Sequence, residues 1–152
     1  MPDQETLRRA RKDKRQGKSA STQAGEFVRE EMHHVREGKH GARSTKQAIA
    51  IGLSKARRSG VKLGTPKRGA SKRTREQAAR DARKGRSPKR AVSRTRSRAT
   101  RAALKREGRS AASKRALARQ ARGSARRRGA AARSRAAQKA ARTRARTRAG
   151  SR

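Results

Sequence analysis

The sequence predicts a small all-α fold, a helical hairpin carrying a long basic tail that is largely disordered or segmentally helical. Sizeable apolar residues recur at helical spacing only within residues 21–63. Elsewhere Lys, Arg and Ala dominate: the formal net charge is +39 over 152 residues, with 39% of residues charged and 29% hydrophobic. So few large apolar side chains cannot offset the entropy of ordering a whole chain, which confines a core to that one region. Three parts follow: a basic N-terminal arm (1–20), the hairpin (21–63) and an Arg/Lys/Ala-rich tail (64–152).

Residues 3–16 are charged all round, with Leu7 as their one large apolar side chain, and read as a frayed helix or an arm. The stretch STQAGEFVREEMHHVREG opens with Ser21 or Thr22 as N-cap, places Glu26 in the first turn and closes at Gly38. Along it Ala24, Val28, Met32 and Val35, with Phe27 beside them, make one apolar stripe. After the loop GKHGAR comes RSTKQAIAIGLSKARRSG. It starts with Ser44 and Gln47 at capping-box spacing, repeats Ile49, Leu53 and Ala56 at i, i+4 and i+7, and stops at Gly60, where Val61 is placed for a Schellman contact with Ala56. Two amphipathic helices joined by a short glycine-containing loop fold back on each other. Alone such a hairpin is marginal, so it is expected to form a homodimer, to dock on its polyanion or to stay fluid.

Charge is uneven along the chain. Residues 1–60 hold 15 basic against 7 acidic side chains, net +8, and residues 61–152 hold 34 against 3, net +31. Residues 91–152 contain 22 basic residues and 19 alanines, a composition of high helix propensity without an apolar face. Ser71, Ser93 and Ser110 are placed to cap segments that stop at Gly85, Gly108 and Gly123. Like charges at i, i+4 oppose those helices in water, and phosphates would relieve the repulsion.

Several function classes are excluded by what the chain lacks. Without cysteine there is neither a disulfide nor a thiolate metal site. No glycine-rich phosphate loop, paired carboxylate in an apolar setting or nucleophile with base and orienter is evident, so a non-enzyme without a cofactor is expected. His33 and His34 are adjacent on a helix and diverge by about 100°. With His40 in the loop they read as solvated histidines, and no metal centre is expected. The chain shows no apolar leader and no run of about 18 apolar residues, so no membrane partner is expected and a cytoplasmic location at the nucleoid is.

The charge calls for a polyanion, and nucleic acid is the default. Phe27 is the one aromatic residue and sits on the apolar stripe, which disfavours recognition of single strands by stacking. Double-stranded DNA is therefore the first expectation, with RNA open. Residues 22–37 are net −2, whereas 44–58 carry Lys46, Lys55, Arg57 and Arg58 and no acid, so the second helix is expected to face phosphates. Lys39 and Arg43 flank its N-terminus, an anion-binding position. In a helix-turn-helix, Thr45, Lys46 and Gln47 would read bases, although the capping box already accounts for Ser44 and Gln47. Further phosphate contacts are expected from Lys67 and Arg68 of TPKR, Lys89 and Arg90 of SPKR, and the run Arg126, Arg127 and Arg128.

TPKR and SPKR resemble the repeated turn motif of linker-histone tails, which implies lodging in the minor groove of A/T-rich DNA. The pattern SxKQAIAIGLSxAR at 44–57 resembles the core of a small bacterial domain family of unknown function, in which a loop with histidine and glycine precedes this helix. That resemblance spans roughly residues 24–63 and implies no activity. The expected function is non-specific binding and compaction of double-stranded DNA in the manner of a nucleoid-associated, linker-histone-like protein. The alternatives are an RNA- or ribosome-associated basic protein and a hairpin adaptor that recruits a protein partner.

Overall fold

The computed structural model describes residues 2–66, 69–87 and 93–149. Among them it is all-helical: α1 (Gln4–Arg15), α2 (Ala20–Arg36), α3 (Thr45–Arg58), α4 (Lys72–Arg86), α5 (Arg94–Lys105), a 3-10 turn (Ser110–Ala112) and α6 (Lys114–Ala149). The chain divides into two compact units, residues 1–113 and 114–152.

Local signals set the helix ends. The N-cap of α2 is Ser19, whose side chain accepts from the Thr22 amide, two residues ahead of the expected Ser21. At α3 the Ser44 hydroxyl accepts from the Gln47 amide (3.2 Å), and the Gln47 side chain accepts from the Arg43 amide (2.8 Å), one residue before the position a strict capping box would use. Gly60 takes φ +86°, its amide donates to the Arg57 carbonyl (3.0 Å) and the Val61 amide donates to Ala56 (3.1 Å), which completes the Schellman motif. Ser71 and Ser93 cap α4 and α5 as their spacing suggests. Ser110 instead is the first residue of the 3-10 turn, whose N-cap position is Arg109.

The hairpin of α2 on α3 sits at the centre of the first unit. Ala24, Phe27 and Val35 are buried on α2, but the buried line of α3 is Ala48, Gly52 and Ala56. This corrects the expected stripe of Ile49, Leu53 and Ala56: small side chains face α2 and let the backbones approach, while Ile49 and Leu53 flank the line half-buried. Residues outside 21–63 supply the cover that the hairpin needs. On α1, which forms a packed helix and not a frayed arm, Leu7 and the buried Ala10 join Phe27, Ala24 and Ala56. Arg9 Nε donates to Glu26 Oε2 at 2.6 Å across the α1–α2 seam. The 3-10 turn buries Ala111 and Ala112 and is held by two long-range bonds, Thr45 Oγ1 to the Ala111 carbonyl (2.7 Å) and Arg36 Nε to the Ala112 carbonyl (2.8 Å). The Gly41 and Ala42 amides donate to the Leu104 and Gly108 carbonyls, tying the end of α5 to the hairpin loop.

α4 docks on α3 through charge. Asp81 is buried and accepts from Ser54 Oγ (2.7 Å), Arg58 Nε (2.7 Å) and Gln77 Nε2 (3.2 Å). Burial works to raise its carboxyl pKa, but these donors outweigh burial and hold it below the ordinary carboxylate range. A depressed folded value gives stability that is complete above the unfolded pKa, about 3.9, and is lost as pH falls through the folded value. Amide protection at the α3–α4 seam should therefore fade below about pH 4. Asp81→Asn should cost about 1.5–3 kcal/mol at neutral pH and remove this acid limb, as followed by hydrogen exchange against pH.

Residues 64–152 are expected to be largely disordered or segmentally helical; among the described ones the disorder is corrected and helical segments are found. α4, α5 and α6 are defined helices, because Ala and Arg are both strong helix formers and serine caps start α4 and α5. In the second unit, α6 is two helical stretches end to end, since Gly129 (φ +73°, ψ 166°) lies outside the helical region. No described residue of α6 is buried.

Candidate functional site

The charged residues of the first unit sort into an interior set and a surface set. Inside, Glu30 and Glu31 of α2 are buried, and Glu31 is 0% exposed. Lys55 of α3 reaches both, with Nζ 2.9 Å from Glu30 Oε1 and 2.8 Å from Glu31 Oε2. Burial works to lower the Lys55 pKa, yet the carboxylates of Glu31 and Glu30 overturn that and hold it above the ordinary lysine value. His40 Nε2 lies 3.2 Å from Glu31 Oε1, and His34 Nε2 lies 3.1 Å from Asp3 Oδ2. The reading of the histidines as solvated is thus corrected for two of the three. His33 has a side chain 66% exposed, whereas His34 and His40 are 10% and 15% exposed, drawn inward by acids that α2 and the first residues bring to them.

The residues expected to meet phosphate fall into three groups. Lys55 departs from that expectation: its ammonium pairs with two buried carboxylates and its side chain is 22% exposed. Arg58 is half-exposed with its Nε on Asp81, Lys39 pairs with Glu37 at 3.0 Å, and Arg57 is partly buried with a hydrogen bond to the Gly64 carbonyl (3.5 Å). Arg43, Lys46, Arg126, Arg127 and Arg128 are exposed. Lys67, Arg68, Lys89 and Arg90 lie outside the described residues. At the start of α3, Thr45 is buried under the 3-10 turn and the Gln47 side chain accepts from the Arg43 amide, while Lys46 is exposed.

Pairing inside the fold leaves the surface cationic. Among the described residues, seven of the ten acidic residues stand in ion pairs with Lys or Arg of the first unit, and Asp3 is hydrogen-bonded to His34. α5 and α6 contain no acid, and none of their described residues is buried. On α5, Arg94, Arg98 and Arg101 fall at i, i+4 and i+7 and line, with Ser97, an open groove of about 310 Å³. This arginine face was not singled out in the sequence, because the same spacing recurs by chance throughout an Arg-rich tail.

Residues 11–69 match the model of a family of unknown function (DUF6496), a stretch that includes the SxKQAIAIGLSxAR pattern and the interior residues Glu30, Glu31, His34, His40 and Lys55. No curated protein and no solved structure was found to match the chain. Among the described residues, no helix is long and apolar enough to cross a membrane.

Proposed function

We propose that the protein binds double-stranded DNA through its phosphates, without sequence preference, and coats or compacts it as a nucleoid-associated, linker-histone-like protein does. The observation that carries this reading is the division of charge: most acids of the first unit stand in ion pairs, while α5, with Arg94, Arg98 and Arg101 along one face, and α6, taken by itself, carry guanidinium groups and no acid. Arginine pairs bidentately with phosphate and enters narrow minor grooves, so such an array suits a duplex backbone. Phe27, the one aromatic, is 1% exposed and offers no stacking platform for unpaired bases.

Salt-dependent affinity tests the reading. If about ten phosphates are neutralised, log affinity should fall against log salt with a slope near −9. Changing Arg94, Arg98 and Arg101 together to Gln should reduce that slope by about 3. Two unrelated duplexes should bind within about tenfold of each other. Tighter binding to RNA than to duplex DNA at equal salt would move the function to the RNA-associated class. Pull-down that survives both nucleases would favour a protein partner.

A further inference from the structure

We infer that Glu31, His34 and His40 form a binding site for one divalent transition-metal ion of the zinc type, independent of any nucleic acid. One ligand atom from each of the three, a carboxylate oxygen and two ring nitrogens, lies within 4.8 Å of the others. Glu31 and His34 are three residues apart on α2 and so share a face, and His40 approaches from the loop that follows. Zinc is held by His nitrogen and carboxylate oxygen at about 2.0–2.2 Å, which sets tetrahedral ligand atoms roughly 3.4 Å apart, so small side-chain movements close the site.

The hydrogen bonds around the histidines support ligation. His40 Nδ1 lies 3.1 Å from the Gly41 carbonyl, which can only accept, so Nδ1 carries the proton and Nε2 keeps its lone pair toward Glu31. His34 Nε2 donates to the Asp3 carboxylate at 3.1 Å, while its Nδ1 is 4.0 Å from Glu30 Oε1, beyond hydrogen-bonding range. Each ring thus has one nitrogen tied to an oxygen acceptor and the other left with a lone pair, the arrangement by which outer partners orient metal-binding histidines.

Glu31 is the second, independent observation. It is fully buried, with Lys55 Nζ 2.8 Å from Oε2, while Oε1 faces His40 Nε2 at 3.2 Å without a hydrogen bond. Lys55 sits against Oε2 and leaves Oε1 toward the histidines. Charge agrees: Asp3, Glu30 and Glu31 against Lys55, with the histidines counted neutral as ligands are, leave −2, which a divalent ion cancels.

The test is titration of the full chain, freed of nucleic acid, with Co²⁺ and then Zn²⁺. One Co²⁺ per chain should bind with the visible d–d absorption of a low-coordinate site, and Zn²⁺ should bleach it and raise the melting temperature. His40→Gln, in a loop and so sparing the helices, and His34→Gln should each weaken Co²⁺ binding at least tenfold and abolish the Zn²⁺ shift. His33→Gln, on the exposed face, should change neither. Absence of d–d absorption in the full chain overturns the inference, as does binding that survives in the His34→Gln/His40→Gln double variant or falls equally with His33→Gln.

Discussion

Lys55→Met is expected to destabilise the first unit by about 3–5 kcal/mol, because it strands two buried carboxylates without their cation. Methionine retains the length and most of the apolar stem, so lost packing contributes little, and the cost is that of burying charge without a partner. Urea denaturation followed by amide protection in α2 and α3 measures it; total helix content would be blurred by α6. Adding Glu30→Gln to Lys55→Met should recover part of the loss, since one orphan charge is removed. A loss below about 1 kcal/mol, the scale of an exposed pair, would mean that the carboxylates are solvated. The wild type should show the matching alkaline limb. A folded Lys55 pKa raised above the unfolded value, about 10.4, gives stability that is complete below that pH and is lost as pH rises through the folded value.

The pairing of Lys55 with Glu30 and Glu31 also shows where sequence reasoning reaches and where it stops. The period of Ala24, Val28, Met32 and Val35, with Phe27 beside them, marks the inner face of α2, on which all but the half-buried Val28 are buried, and caps such as Ser44 and Gly60 mark ends, because both are local properties of a helix. Ion pairs between residues 25 apart have no local signature, so Lys55 reads as a phosphate contact. One signal was present: a helix of net −2 followed by a helix with four cations and no acid is complementary to its own neighbour before it is complementary to DNA. α1 escaped for a related reason. Its buried face is Thr6, Ala10 and Asp13, small or charged residues at i, i+4 and i+7 that carry no hydrophobic signal until α2 is laid against them. The disorder expected of much of the tail came from treating burial as the sole source of order, whereas α5 and α6 bury no described residue and rest largely on helix propensity, α5 helped by its Ser93 cap and by the bonds that tie its end to the hairpin loop.

Gly52→Ala is expected to destabilise the hairpin by about 1–3 kcal/mol, against the sign that helix propensity predicts. Alanine in a helix interior is favoured over glycine by about 1 kcal/mol, and Gly52 lies mid-helix without a positive φ, so on local grounds the change should help. The packing decides otherwise. A Cβ at Gly52 would stand 2.7 Å from Val28 Cα and 3.0 Å from the Phe27 carbonyl oxygen, which are backbone atoms that cannot swing aside. Making room means pushing α3 off α2, and that loosens Ala48 and Ala56 above and below as well as the Lys55 cluster on the same seam. Gly52→Val should cost more, since its branches meet the same wall. Gly25→Ala is the internal control: Gly25 lies within α2, is exposed and would place its Cβ in open space, so propensity acts alone and stability should rise by about 0.5–1 kcal/mol. Urea midpoints of the two variants should therefore move in opposite directions from wild type. If Gly52→Ala moves with Gly25→Ala, the α2–α3 backbones do not approach as closely as the structure places them.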